Sequence, residues 1–295
     1  MNPREEGFLL LGSYLGNPER KILTTAQLRT LAQRAAAMER PMADRELEMT
    51  DLLAMGYGPE LGARILALLN EQELLRRYLT RARQAGCTPV SRVSDGYPAV
   101  LRRRLGLDSP GVLWCKGETS LLQRPGISLV GSRDIRRENA DFAAQVGYQA
   151  ARQGYVLISG NARGADNIAQ NACLEAGGQV ISVVADDLAG KRGSSHVLYV
   201  SLEGFDLPFT SVRALSRNRV IHALGEKSLV AQCSAGMGGT WDGTVRNLRA
   251  GWSPVFCFQD GTEAVQQLVQ LGAGTVQTED LADLGALQED VLRLF

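Results

Sequence analysis

No stretch of the 295-residue sequence approaches the roughly 20 consecutive apolar residues that a membrane-spanning helix requires. The opening MNPREEGFLLLGSYLG carries only a short apolar run behind mixed charge, which does not fit a cleaved signal peptide. Histidine is scarce: His196 and His222 are too few for an imidazole-based zinc site, and neither lies in a recognisable acid–base motif. The five cysteines (Cys87, Cys115, Cys173, Cys233, Cys257) are odd in number, scattered and without a Cys-x-x-Cys pair. They read as reduced thiols, mostly in the core of a cytoplasmic protein. A net charge is missing too, since 32 Lys and Arg balance 32 Asp and Glu. That excludes a protein coating nucleic acid over its whole surface, so any such site must be local. Internal repeats and low-complexity segments are absent.

What is present is the composition of a globular chain, 44% hydrophobic and 22% charged, able to bury a sizeable core. Its length suits one large α/β domain and one small helical domain. Residues 1–90 show leucine and alanine at helical spacing without strand-like alternation. Within them, Met55-Gly56-Tyr57-Gly58-Pro59 precedes an amphipathic stretch. This is either a helix–hairpin–helix or SAM-like module, whose hairpin amides can hold a phosphate, or an ordinary turn between packed helices. Beyond Pro98 short apolar runs alternate with helical segments. Strands are predicted at Ile127–Val130, Tyr155–Ile158, Val180–Val184, Val197–Val200, Leu229–Ala231 and Val255–Phe258, and helices near 138–153, 164–177, 213–224, 241–250 and 261–272. That alternation predicts βαβ units. The expected fold over residues 91–295 is therefore α/β, a Rossmann-like, mainly parallel sheet with helices on both faces. Ligands of such sheets bind at the carboxyl ends of the strands.

Four segments could carry chemistry, three of them at strand-to-helix junctions. In Gly131-Ser132-Arg133, glycine permits close backbone approach or positive φ, serine offers a hydroxyl, and Arg133 can close on a phosphate. Arg133 could instead pair with Asp134 or Glu138. In Ser159-Gly160-Asn161-Ala162-Arg163-Gly164-Ala165-Asp166, Gly160 and Gly164 permit a tight phosphate-approaching turn and Asp166 can cap the helix. Arg217-Asn218-Arg219 could grip a phosphate chain or make surface ion pairs. The turn Gly236-Met237-Gly238-Gly239-Thr240-Trp241 again sets glycines and a hydroxyl at a junction. Basic residues also cluster at Arg102–Arg104, at Arg133, Arg136 and Arg137, at Lys191–Arg192 and at Arg213, Arg217 and Arg219, each cluster equally readable as a solvated face.

Two familiar loops fail. Gly190-Lys191-Arg192 has Ala185 where a Walker A loop needs its first glycine and Arg192 where it needs Ser or Thr. The G-x-G-x-x-G dinucleotide fingerprint does not follow the first strand. Neither a catalytic constellation nor a metal or cofactor site is expected.

Taken in order, these motifs resemble the DNA-processing protein A (DprA/Smf) family. The resemblance runs from Tyr97-Pro98 through Pro110–Gly117, Gly131-Ser132-Arg133, Ser159-Gly160-x-Ala162-Arg163-Gly164-x-Asp166, Arg217-Asn218-Arg219 and the 238–240 turn to Gly272-Ala273 and Glu279-Asp280-Leu281. It departs at Gln170, Arg136, Asn139 and Gln232, where the family usually has His, Thr, Gly and an acid, and at 186–189, where it has Tyr-Pro. The 37 residues after Phe258 leave no counterpart to the C-terminal winged helix of many members. The resemblance implies a cytoplasmic homodimer that binds single-stranded DNA, protects it and loads it onto a RecA-type recombinase in natural transformation and recombination. By position it implies DNA-phosphate contacts from Gly131, Ser132, Arg133, Ser159, Gly160, Arg163, Gly164, Arg217, Asn218, Arg219, Gly239 and Thr240. The alternative is a nucleotide-binding protein, either a small-nucleotide sensor or a nucleoside-monophosphate phosphoribohydrolase. The hydrolase has a G-G-x-G-T-x-x-E loop, in which Met237 here replaces a glycine and Gly243 the catalytic glutamate.

Overall fold

Strands alternating with helices from residue 88 onward build one nine-stranded sheet in the computed structural model, which describes residues 1–38 and 46–288. Residues 39–45 of the expected helical domain and 289–295 of the expected α/β domain lie outside the described residues. The strands are β1 (Thr88–Ser91), β2 (Val112–Lys116), β3 (Gly126–Val130), β4 (Val156–Ser159), β5 (Gln179–Val183), β6 (Val197–Ser201), β7 (Lys227–Val230), β8 (Val255–Phe258) and β9 (Gly274–Val276). Their spatial order is β1-β2-β6-β5-β4-β3-β7-β8-β9. From β6 to β9 every pairing is parallel, while β1 and β2 form an antiparallel edge. The six predicted strands all form. Three strands lie outside those six runs: β1, which straddles residue 90, β2, whose apolar Val112-Leu113-Trp114-Cys115 is an ordinary buried-strand run, and the three-residue β9 near the end of the sheet.

Helices α1 (Pro3–Gly12), α2 (Thr25–Ala36), α3 (Met49–Ala54), α4 (Pro59–Leu69) and α5 (Gln72–Gln84) precede the sheet. Capping boxes from Asn2 with Glu5 and from Thr24 with Gln27 start the first two by satisfying free amides. The turn between α3 and α4 is packed from within: Met55 is buried, Arg34 lies over the Tyr57 ring at 4.6 Å, and Gly62 lets α4 sit against Met49. This helical segment shares a core with the sheet edge, where Leu9, Leu10 and Leu75 meet Trp114, Val184 and Phe205. Tyr78 stands edge-on to Trp114 at 5.1 Å, and its hydroxyl donates to Asp206 at 2.8 Å.

The remaining helices are α6 (Ala99–Leu105), α7 (Arg137–Arg152), α8 (Ala165–Glu175), α9 (Ser211–Leu224), α10 (Gly238–Ala250) and α11 (Glu263–Gln270). Alternation along the central strands sends Ile127, Leu129, Leu157 and Val180 to one face, against α7 and α8. It sends Val130, Val156, Ile158 and Val230 to the other, against α6, α9, α10 and α11. Both faces are covered, as a parallel sheet requires.

Between α9, α10 and β7 lies a buried polar knot. His222 Nδ1 sits 2.9 Å from Ser228 Oγ, which contacts Ser253 Oγ at 2.9 Å, and Asn247 holds Ser253 through its amide. Burial lowers the His222 pKa from 6.5 to about 4. Below pH 6.5 the unfolded chain takes up a proton that the folded chain refuses, so this residue costs stability as pH falls from 6.5 toward 4. Denaturant unfolding of wild type and His222→Gln should show the wild-type advantage shrinking by roughly 2–3 kcal/mol between about pH 7.5 and about pH 4.5. A constant difference would show that His222 is not buried neutral.

Candidate nucleic-acid interface

The strand order reverses at β3: the chain proceeds to β4, β5 and β6 on one side, then returns to place β7 on the other. Such a switch point opens a crevice at the carboxyl edge. The turns after β3, β4 and β7 converge there around a chamber of 620 Å³, with an adjoining chamber of 440 Å³.

The turns fit together because side chains are missing where they cross. Gly164, at φ +86°, lies directly on the Ser132 and Arg133 carbonyls, and the Ala165 amide donates to Ser132 O at 3.2 Å. A Cβ on Gly131 would collide with the Ala165 methyl and approach Ala231 Cβ at 3.3 Å. Gly131 is not in the left-handed region, so positive φ does not explain the glycine, whereas the closeness of the neighbouring turn does. Thr240 Oγ1 donates to Gly131 O at 3.0 Å, and Asn218 Nδ2 to Gly239 O at 2.9 Å, tying the start of α10 to the same edge. Asp166 is not the helix cap, a place taken by Gly164; its carboxylate instead accepts the Ala162 amide at 3.1 Å and fixes the preceding loop.

Two arginines of this edge make no direct ion pair among the described residues. Arg133 and Arg217 line both chambers, and among the described residues neither is in ion-pair contact. Neither acid considered for Arg133 is in ion-pair contact with it among the described residues: Asp134 pairs instead with Arg163 at 2.7 Å, and Glu138 pairs with no base. Arg217 is only 9% exposed, and its Nε is buried without a hydrogen-bond partner among the described residues. Its guanidinium lies on the Cα of Gly160, which is what excludes a side chain there. Burial lowers the Arg217 pKa, with the nearby Asp166 opposing and Arg133 adding to the shift. Burial likewise raises the Asp166 carboxyl, against the pull of Arg217. Two like charges facing one cavity are an arrangement that a bound anion would relieve.

Not every candidate arrives there. Ser159 is fully buried, its hydroxyl accepting from Gln170, whose carbonyl accepts from Ser182 at 3.0 Å. Arg219, two residues beyond Arg217 and so on the far side of α9, lies near Tyr97 outside both chambers. Arg163 lines the smaller chamber only, and its partner is exposed Asp134. The reading from sequence missed Phe209, Leu215 and Met237, apolar, exposed and on the larger chamber's wall. It also missed the role of Gln232, which bonds the turn after β3. Exposed apolar residues carry no local sequence signal, and Gln232 acts through a contact distant in sequence.

The crossing predicts a specific rescue. Gly131→Ala should destabilise the fold by ~1–3 kcal/mol through overpacking, and adding Ala165→Gly should recover part of that loss in a denaturation cycle. Additive losses would place the strain elsewhere.

A family model described as DNA recombination-mediator protein A matches residues 89–284. The chain is 31% identical over 136 residues to the DNA processing protein DprA of Streptococcus pneumoniae, covering 42% of this chain and 48% of that protein. It is 29% identical over 182 residues to the DNA processing protein DprA of Bacillus subtilis, covering 56% and 60%. The chain thus spans about half the length of the curated relatives it matches. Among solved structures, DNA processing protein A from Streptococcus pneumoniae superposes with a TM-score of 0.73 at 23% identity, over 95% of this chain and 98% of that one. The Helicobacter pylori protein, whose structure describes a single-stranded DNA binding mode, gives 0.54 at 20% identity, over 64% and 90%. These likenesses establish the Rossmann-like fold, and the match over residues 89–284 places this chain in the DNA recombination-mediator protein A family.

Proposed function

We propose that this chain is a non-enzymatic protein that binds single-stranded DNA at the switch-point chambers. The observation that carries the reading is Arg217, a buried guanidinium with an unsatisfied Nε, facing the same cavity as unpaired Arg133. A buried guanidinium with no carboxylate in direct contact is costly, and a bound phosphate supplies that contact. Phe209, Leu215 and Met237 around the larger chamber give unpaired bases an apolar surface. A duplex keeps its bases stacked inside, so the same mouth favours single strands. The binding mode described for the Helicobacter pylori protein supports this reading.

Following the family, we place the chain in DNA processing, as a cytoplasmic homodimer that protects single strands and passes them to a RecA-type recombinase in transformation and recombination. Residues 1–90 and 91–295 are its two domains. The DNA-contacting set is Arg133 and Arg217 with the chamber-lining Gly131, Ser132, Asn218, Gly239 and Thr240, flanked by Gly160 and Arg163 in the smaller chamber and supported by Gly164 beneath. Ser159 and Arg219 fall outside it. Against the phosphoribohydrolase stands Gly243, which puts no carboxylate at the place of the catalytic glutamate; a Cβ there would sit tightly, 3.2 Å from Asn218 Cβ and 3.4 Å from His222 Nε2.

The test is a titration of the full chain with a single strand of about 20 nucleotides, the matching duplex and free mononucleotides at two salt concentrations. Single strands should bind best. Arg133→Ala and Arg217→Lys should each weaken them by roughly 10- to 100-fold, the size of a lost charge-assisted bond, while Arg219→Ala leaves affinity unchanged. Duplex bound as tightly as single strand would overturn the reading, and tight mononucleotide binding would favour the sensor.

A further inference from the structure

Arg133 projects from a turn with little structure of its own. Residues 131–136 contain neither helix nor strand, yet this segment must present a guanidinium to the chamber. One residue from the other side of the switch point holds it. The Gln232 carbonyl accepts from Ser132 N at 2.9 Å and from Ser132 Oγ at 3.2 Å. Its side-chain Oε1 accepts from Arg136 N at 2.9 Å, and its Nε2 donates to Asp134 O at 3.2 Å. Residues 132, 134 and 136 are thus bound to Gln232, and Arg133, set between two of them, lines both chambers. The far end of the turn has a second anchor, since the Arg136 guanidinium pairs with Asp260, which also accepts from Asn139 Nδ2 at 2.8 Å.

We propose that Gln232 is the positioning residue of the site, orienting Arg133 toward bound phosphate by fixing the turn that carries it. The proposal rests on the single-strand-binding reading above. The primary amide matters because the position needs an acceptor for an N–H and a donor for a carbonyl at once. A carboxylate supplies only the first and sets a negative charge against the Asp134 carbonyl. An apolar side chain of similar length supplies neither. Gln232 is only half-buried, so its replacement leaves the core intact.

The experiment is a double-mutant cycle on the full chain, titrated with a single strand of about 20 thymidylates across a range of salt, with thermal melting as the folding control. Gln232→Met and Gln232→Glu should each weaken binding several-fold. The salt slope should drop by up to about 0.7, the share of one phosphate contact on a single strand. In the Arg133→Ala background the same replacements should change neither affinity nor slope, because the group they position is gone. Equal losses in both backgrounds, or unchanged affinity of Gln232→Met and Gln232→Glu in the wild-type background, would overturn the proposal. Failure of the unmodified chain to bind the strand would instead remove the single-strand reading, and the role of Gln232 with it.

Discussion

The site depends on a steric constraint: two strand-to-helix turns cross at the carboxyl edge of the sheet with a glycine on each side of the crossing. Gly131 faces the Ala165 methyl, and Gly164 lies on the Ser132 and Arg133 carbonyls. Because the backbones meet so closely, the Ala165 amide reaches Ser132 O and the Thr240 hydroxyl reaches Gly131 O. Three segments far apart in sequence thereby become one rigid edge. Gly160 extends the same logic to a side chain, since its bare Cα is the surface on which the Arg217 guanidinium rests. The glycines shape the cavity by what they exclude, and the arginines give it charge.

A chain with no net charge can still bind a polyanion if its cations are unevenly committed. Arg20 is consumed by Glu71 and by the Ser13 and Leu10 carbonyls, and Arg104 by the Ala223 and Gly225 carbonyls. Arg102 bonds the Arg92 and Ser94 carbonyls, Arg213 pairs with Glu203, and Arg81 with Asp206. These arginines hold the fold. Arg133 and Arg217 are left beside each other at one cavity, and desolvation strengthens whatever they bind. Composition counts all of these residues alike, so the arithmetic of 32 against 32 could exclude a global electrostatic surface but could not locate the local one.

The sheet was legible because its central strands are buried on both faces and read as continuous apolar runs between glycine-rich turns. The antiparallel edge was less so: β1 is four residues long, mixes polar with apolar, and gains its strand character only by pairing with β2. Gly131, Gly164, Arg133 and Thr240 were visible as junction residues, and Arg217 as one of an arginine pair within a helix. What each does was not, because the contacts of Gly131 with Ala165 and of Gly160 with Arg217 join different βαβ units. Helical geometry alone could have separated Arg217 from Arg219, since residues two apart face opposite sides. Ser159 could have been set aside similarly: it ends a fully buried strand, where a hydroxyl needs an internal partner and finds Gln170.

The departures from the family resemblance form a pattern in space. Gln170 donates to Ser159 and accepts from Ser182, Asn139 donates to the Ala231 carbonyl and to Asp260, and Gln232 both accepts and donates within the turn after β3. Each is a neutral amide, and the first and last sit where the resemblance expects an imidazole or an acid. An amide satisfies a donor and an acceptor together without titrating. Asp260 is the charged member: burial opposes its ionisation, but bonds from Thr262 and Asn139 and the charge of Arg136 hold its pKa below the ordinary carboxylate value. The edge that shapes the cavity is therefore built from groups whose protonation does not change near neutral pH. Asp166 differs: burial raises its pKa against the pull of Arg217, and protonating it would remove one of the two negative charges, Asp166 and Asp186, that favour the Arg217 guanidinium.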